Sequence, residues 1–148
     1  MTQRNTPVSQ IQNAEVELVR QTDLLVKALS WEDFVMLCYP LLLQMGWSPL
    51  SLLHVTDKRD DMGLLQRATG EEAFLQMIPS VTEAELSHYQ EKLVRHVHYD
   101  RLFVISQFSD VPKDFILSPN VHWWTDNKLA RHLIYAGELV RLTAFYGG

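Results

Sequence analysis

Hydrophobic residues near the start of the chain recur at helical spacing. Between residues 11 and 29 they return every few positions among charged residues, which predicts an amphipathic helix. Residues 1–10 are polar and have little to bury, so we expect a flexible tail there. The pattern therefore places the folded part of the chain in a single domain over residues 11–148.

A second helix is predicted more clearly. Ser30 followed by Asp33 offers an N-cap, and apolar residues then repeat at intervals of three and four up to a natural stop at Gly46. Pro40 lies inside this helix and should bend its axis, because proline removes one backbone hydrogen bond.

The period changes in the middle of the chain. Residues 50–55, 63–67 and 73–78 are three short segments of strand character, separated by polar turns, and they predict an antiparallel meander. Pro79 is expected to end the third strand, since proline cannot donate to a sheet ladder.

A crossover helix and a buried strand follow. Thr82 and Glu85 form a capping box for a helix over residues 83–97. Residues 102–106 are a compact apolar run, which is typical of a buried strand reached through a helical crossover. The sheet is therefore predicted to be mixed.

The last part of the chain alternates short elements. We expect a short helix over residues 112–117, a strand over 121–124, a helix that Thr125 caps and that runs to Ala136, and an edge strand within 138–146. The predicted class is α/β of the mixed α+β kind, with a central mixed sheet, an antiparallel meander and flanking helices.

Composition limits the partners and the compartment. The chain has 148 residues, of which 13 are Lys or Arg and 18 are Asp or Glu, so its formal charge is −5 and any attraction to DNA must come from a local patch. Cys38 is the one cysteine and is expected to pack inertly, which fits a reducing cytoplasm. We find neither a secretion signal nor an apolar run long enough for a bilayer, so a cytoplasmic protein without a membrane partner is expected.

Several segments resemble, in order, the Mrr-like restriction endonuclease family of the PD-(D/E)XK nuclease fold. The succession of helix, three-strand meander, crossover helix and strand is the common core of that fold. The similar segments are residues 29–34 with 45–47 (the opening helix and its Gly-aromatic end), 61–65 (an Asp-x-Gly-Ile-Asp turn), 74–78 (a strand ending in Gln-x-Lys), 101–108 (the buried strand) and 120–133 (the closing strand and helix). The resemblance covers about residues 29–136 and implies a restriction-endonuclease-like core.

The departures from the family pattern fall on its chemistry. In the family, the last Asp of the turn and the Gln and Lys of the next strand hold a divalent metal and activate water. Here Leu65 stands at the position of the metal-binding Asp and Ile78 at that of the Lys, and only Gln76 matches. If catalysis is lost, Leu65 and Ile78 should lie together in an apolar floor.

An active enzyme would need relocated groups. Asp60 or Asp61 could then bind Mg²⁺ beside Gln76, and Lys92 on the crossover helix could replace the strand lysine. The alternative for both aspartates is a solvated turn, which their turn propensity favours. No cofactor is expected unless the enzyme is active, in which case it is Mg²⁺.

Candidate binding residues lie beside this region. Lys58, Arg59 and Arg95 are candidates for phosphate or partner contacts, although surface charges that only confer solubility are equally compatible with the pattern. Trp123 and Trp124 should face opposite sides of a strand, so one of them could stack on a base or anchor an interface. We assign that role to Trp124.

Three hypotheses follow from the sequence. The first is a catalytically degenerate domain that binds DNA or a protein partner, in a prokaryotic defence or mobile-element setting that only the resemblance implies. The second is an active metal-dependent DNA endonuclease with relocated catalytic residues. The third is a structural oligomerisation module, and a homodimer is possible by analogy with related nucleases.

Overall fold

A five-stranded mixed sheet with helices on both faces forms the centre of the fold. The computed structural model describes residues 6–50, 60–95, 99–112 and 114–147, and only the backbone of residues 60–62. The strands are β1 (Trp47–Pro49), β2 (Asp60–Gln66), β3 (Glu72–Val81), β4 (Arg101–Ser109) and β5 (Val121–Trp124), and the helices are α1 (Pro7–Lys27), α2 (Trp31–Gln44), α3 (Glu83–Arg95), α4 (Asp126–Tyr135) and α5 (Leu139–Ala144).

The strands are arranged in the order in which they occur in the chain. β1, β2 and β3 pair antiparallel, whereas β3 with β4 and β4 with β5 pair parallel. A parallel pair needs a long crossover, and α3 supplies it between β3 and β4. The predicted mixed α/β class and its antiparallel meander are therefore confirmed.

Two apolar layers cover the two faces of the sheet. On the face that we call the α2 face, α1, α2, α4 and α5 pack against the odd-numbered residues of β3, including Leu75 and Met77. On the opposite α3 face, α3 and the segment after β4 pack against the even-numbered Ile78. Successive residues of a strand point to opposite faces, so β3 contributes to both cores.

The predicted caps of two helices are confirmed, whereas Thr125, the predicted cap of α4, makes no capping hydrogen bond with its side chain. The Ser30 hydroxyl accepts a hydrogen bond from the Asp33 amide at 3.2 Å. The Thr82 hydroxyl accepts from the Glu85 amide, and the Glu85 carboxylate accepts from the Thr82 amide, each at 3.2 Å. α2 runs through Pro40 as expected and ends just before a left-handed residue at the predicted stop, Gly46.

The first helix begins earlier than the polar composition indicates. Pro7 occupies its first turn, where the missing amide hydrogen costs nothing, and the Thr6 hydroxyl caps the helix by accepting from the Ser9 amide at 3.1 Å. Residues 7–10 are therefore helical, and the expected boundary of a flexible tail at residue 10 is wrong. Val19 is the first buried side chain of this helix, and the third turn, just before it, is held by the Tyr135 hydroxyl, which donates to the Glu15 carboxylate at 2.6 Å.

Helix length in this chain does not imply a membrane span. α1 is 21 residues long but amphipathic, and its exposed side carries charged residues such as Glu17 and Arg20. None of the described helices is both long and apolar enough to cross a bilayer.

The boundaries of the meander also differ from the prediction. β3 passes through Pro79 and continues to Val81, so the expected end at Pro79 is wrong. The pairing with β4 continues on both sides of Pro79, with Ile78 opposite Ser106 and Ser80 opposite Phe108. The first strand is β1, which ends at Pro49, and most of the predicted strand 50–55 lies outside the described residues.

Two predictions near the C-terminus are wrong. The described residues within 112–117 form a single turn, in which the Phe115 amide donates to the Pro112 carbonyl at 3.1 Å, rather than a helix. The predicted edge strand within 138–146 is instead α5. Its apolar residues include Leu142, which is fully buried, and Val140, which is 78% exposed, so the segment is amphipathic at helical spacing.

The one cysteine is part of the core. Cys38 lies on the inner side of α2 and has no exposed surface. Burial raises the pKa of its thiol far above the ordinary value, because the thiolate would be poorly solvated there. The side chain is therefore an unreactive packing residue in the folded protein, as the sequence predicts.

A buried glutamine joins the first helix to the sheet. Gln107 in β4 is 4% exposed, and its side-chain nitrogen donates to the carbonyl oxygens of Val26 and Leu29, both at 2.8 Å. The last carbonyls of a helix have no partner within the helix. One side chain thus satisfies the Leu29 carbonyl and adds a second donor to the Val26 carbonyl, which also accepts from the Leu29 amide at 3.2 Å.

Replacing this amide should be costly. In Gln107→Leu the Leu29 carbonyl loses its described donor while the Val26 carbonyl keeps the Leu29 amide, and a buried unsatisfied group costs roughly 1–3 kcal/mol, so we expect the free energy of unfolding to fall by about 1–3 kcal/mol. Urea unfolding followed by tryptophan fluorescence measures it. Gln12→Leu, on the exposed part of α1, is the matched control and should change stability by less than about 0.5 kcal/mol. Equal urea midpoints for the two variants would contradict the assigned role of Gln107.

Candidate binding site on the α3 face

The register of the meander brings two candidate residues together. Asp61 in β2 lies directly opposite Gln76 in β3, and Gly63 lies opposite Phe74. Positions directly opposite each other in an antiparallel pair belong to the same face of the sheet. Asp61, Gln76 and Phe74 are therefore positions of the α3 face.

Gln76 is a buried polar residue with an unused donor. Its side chain is 2% exposed, and its amide nitrogen has no acceptor among the described side chains and backbone groups. Such a group costs about 1–3 kcal/mol unless it finds a partner. Its nearest residue across β2 is the acidic Asp61. Gln76 is therefore a buried polar group of the α3 face, opposite an acidic position of β2.

The third candidate, Lys92, lies one step along the same face. Its ammonium nitrogen is 5.1 Å from the centroid of the Phe74 ring, which is the geometry of a cation–π interaction. Phe74 precedes Gln76 by two residues, so the two side chains emerge from the same side of β3 about 7 Å apart. Asp61, Gln76 and Lys92, which the sequence selected together, are therefore neighbours in the fold.

A cavity of about 430 Å³ opens beside Lys92. Its aromatic lining comes from Phe74, Tyr89 and Tyr99, with the Phe74 and Tyr99 rings 5.4 Å apart. Glu72 and Lys92 are the charged residues of its described lining. The volume lies within the range of about 300–1,000 Å³ that is common for small-ligand sites.

The predicted apolar floor does not exist. Leu65 lies opposite Glu72, whereas Ile78 is six residues further along β3, a separation of about 20 Å. Ile78 is buried in the core beneath α3, and Leu65 is only partly buried near the β2–β3 turn. The expectation that these two replacements lie together is therefore wrong, because antiparallel pairing moves them in opposite directions from the Asp61–Gln76 pair.

The candidate cations have different positions. Arg95 is exposed at the end of α3, three residues after Lys92, so both belong to one side of the helix, and of these two Lys92 is the one in the described lining of the cavity. Lys58 and Arg59 lie outside the described residues, and the side chain of Asp60 does as well. Of the candidate cations, Lys92 and Arg95 are therefore the two whose positions the structure describes.

The side chain of Trp124 points into the core on the α2 face. It is 2% exposed on the α2 face and packs edge-on against Phe103 with ring centroids 5.3 Å apart, so the role assigned to it as an outward stacking residue is wrong. Trp123 occupies the α3 face, where its indole nitrogen donates to the Ser106 hydroxyl at 3.4 Å. Trp124 is the more deeply buried of the two tryptophans because its side chain points to the α2 face, which four helices cover.

The sequence did not indicate the cavity itself. Phe74 belongs to a predicted strand and Tyr99 to a connection, and only the parallel pairing of β3 with β4 brings their rings together. Within the described residues no group of three His, Cys, Asp or Glu side chains could hold a metal ion. The described lining is suited to a planar or anionic ligand that aromatic rings and a cation would contact.

Comparison with protein-family models and with curated proteins finds no match to this chain. The fold and the geometry of the site are therefore the basis on which its function is inferred.

Proposed function

We propose that this chain is a restriction-endonuclease-like domain that has lost metal-dependent cleavage and acts by binding DNA through its α3 face. The order of helix, antiparallel meander, crossover helix and parallel strand supports the assignment to that fold. The support for the loss of cleavage comes from the sequence alone, in which Leu65 and Ile78 stand at the two positions that the resemblance assigns to metal binding and catalysis, because the pairing of β2 with β3 does not bring these two residues together.

One observation carries the DNA-binding proposal. Lys92 lies on the Phe74 ring at the edge of a cavity that Tyr89 and Tyr99 also line. Aromatic faces stack on unstacked bases whatever their sequence, and a nearby cation attracts the phosphate that follows each base. The cavity is therefore suited to a nucleotide of a single-stranded or locally opened segment.

The charge distribution along α3 supports the same side of the molecule. Glu83 and Glu85 lie in its first turn, whereas Lys92 and Arg95 lie in its last turn. The charge of the whole chain is −5, so attraction to DNA must be local. The basic end of α3 is the end that adjoins the cavity, which concentrates positive charge where the aromatic rings are.

Salt dependence tests this proposal. We expect a fluorescent single-stranded oligothymidylate to bind with an affinity that falls as salt rises, because phosphate contacts release counterions. Lys92→Ala and Arg95→Ala should each reduce the slope of log K against log salt by about 0.7, the value for one phosphate contact on a single strand. Arg131→Ala removes one exposed charge on α4 and is the matched control, for which the slope should not change.

The result can contradict the proposal in two ways. Equal slopes for the Lys92 and Arg131 variants would show that the α3 face does not contact the strand. Absence of binding at low salt, together with a mass that rises with protein concentration, would favour the oligomerisation module or homodimer instead.

A second candidate, an active metal-dependent endonuclease, is favoured by one specific observation. Asp61 lies opposite Gln76, and Lys92 lies on the same face of the sheet. Mg²⁺ takes oxygen ligands and keeps several waters, so an Asp carboxylate and the Gln76 amide oxygen would be a minimal protein contribution. When bound, such a metal would lower the pKa of a coordinated water. Gln76 would orient a ligand, and Lys92 would place positive charge near a developing anion.

A cleavage assay separates the two functions. We expect no cutting of supercoiled plasmid or single-stranded DNA with Mg²⁺ or Mn²⁺, since a single carboxylate and an amide are few ligands for a catalytic metal. Asp61→Ala is assayed beside the unsubstituted protein. Cutting by the unsubstituted protein that disappears in this variant would overturn the loss of cleavage and establish the second candidate.

A further inference from the structure

A second cavity, of about 690 Å³, opens on the α2 face and concentrates basic and titratable groups. Arg101 comes from the start of β4, His122 from β5, and Lys128 and His132 from α4. The acidic residue of its described lining is Glu71, in the turn between β2 and β3. We call this cavity the His122–His132 cleft.

Buried aromatic rings fix both imidazoles in place. The Phe103 ring stacks on His122 with centroids 4.8 Å apart, and its edge contacts Trp124. The Trp124 ring in turn lies 4.3 Å from the His132 ring. Phe103 and Trp124 are 3% and 2% exposed, so the two histidines stand on a rigid base and remain partly accessible themselves. Pre-organisation of this kind reduces the entropy cost of binding.

The hydrogen bonds define the protonation of His122. The Arg101 guanidinium donates to the Glu71 carboxylate at 3.0 Å and to the His122 Nε2 atom at 3.1 Å. Arginine has no acceptor, so His122 Nε2 accepts and the ring proton resides on Nδ1. The imidazole is therefore neutral in this arrangement, held beside a cation.

The surrounding charges make the cleft electropositive. Burial is the largest cause that lowers the pKa of His122, followed by Arg101, Lys128 and His132. Burial and then Lys128 lower the pKa of His132. Arg101 belongs to β4, and Lys128 and His132 belong to α4. Glu71, the carboxylate of the described lining, is already paired with Arg101. An anion in the cleft would offset the repulsion between these cations and a protonated imidazole.

Lys128 supplies the unused charge. It is exposed in the first turn of α4, and among the described residues it makes no ion pair. An ammonium group and two imidazoles that converge on one opening can donate to several oxygens of one anion, and such charge-assisted hydrogen bonds are the strong ones.

From these contacts we infer that the His122–His132 cleft binds a phosphate monoester, carried either by a small molecule or by the 5′ end of a nucleic acid strand. The site is separate from the α3 face and does not depend on the function proposed for that face. Lys128 and the two imidazoles contact the phosphate oxygens, and Arg101 keeps His122 in position.

Sulfate is the first probe, because its charge stays constant over the range in which histidine titrates. Histidine ring resonances in NMR report the binding. We expect sulfate to raise the pKa of His132, so its affinity should be high below the unliganded pKa of that ring and should be lost as pH rises through the liganded one, whereas His122 stays neutral and donates from Nδ1. Each unit of pKa increase corresponds to an about tenfold gain in affinity between about pH 8 and about pH 5.

Variants and probes give the decisive comparisons. Lys128→Ala should weaken sulfate binding about fivefold, as expected for one exposed charge, whereas Arg131→Ala and Lys92→Ala should leave it unchanged. Two ligands, ribose 5-phosphate and a 5′-phosphorylated oligothymidylate, are each compared with their unphosphorylated forms. The ligand whose affinity rises more with the phosphate shows whether the phosphate monoester is carried by a small molecule or by a nucleic acid strand. Histidine resonances that do not respond to sulfate at about pH 5, or equal binding by the Lys128 and Arg131 variants, would overturn the inference.

Discussion

The attachment of the first helix to β4 depends on one side-chain amide. Gln107 donates to the carbonyl oxygens of Val26 and Leu29, and it does so from the centre of the sheet. At the same junction the Lys27 ammonium bridges to Asp126, 2.6 Å away, at the start of α4. Because backbone carbonyls inside a protein must be satisfied, the end of α1 can occupy this place only with such a donor. The α2 face, and the position of α4 above the second cleft, depend on that fit.

The pleat of the sheet separates the two candidate sites. In β4, Leu102 lines the cavity of the α3 face while its neighbour Phe103 supports the histidines on the other side. A one-residue shift of this strand would exchange the two faces and destroy both sites together. The parallel pairing of β4 with β3 and β5 fixes the register, since Phe103 lies between Leu75 and His122.

Sequence reasoning succeeded where the cause of a structure is local. The Ser30 and Thr82 caps and the stop at Gly46 each depend on a few adjacent residues, and all three are present. It failed where a contact between residues distant in the sequence determines the local structure. Pro79 stays in a strand because β3 pairs with β4 on both sides of it, and residues 139–144 are helical because Leu142 packs into a core built by earlier elements.

The candidate site shows the same division. The resemblance to the nuclease family selected Asp61, Gln76 and Lys92, but only the hairpin register shows that Asp61, and not the position of Leu65, lies opposite Gln76. The His122–His132 cleft combines a turn, two parallel strands and a helix, so nothing in the spacing of its residues along the chain points to it.

Cys38 has a practical consequence for the energetics of the whole fold. It is the chain's one cysteine and it lies on the sheet side of α2 without exposed surface, so a thiol reagent can react only after α2 separates from the sheet. The rate of modification under native conditions then measures the free energy of that opening relative to an unfolded thiol. The protein therefore contains its own single-site probe of how tightly the central helix is held, and no label needs to be introduced.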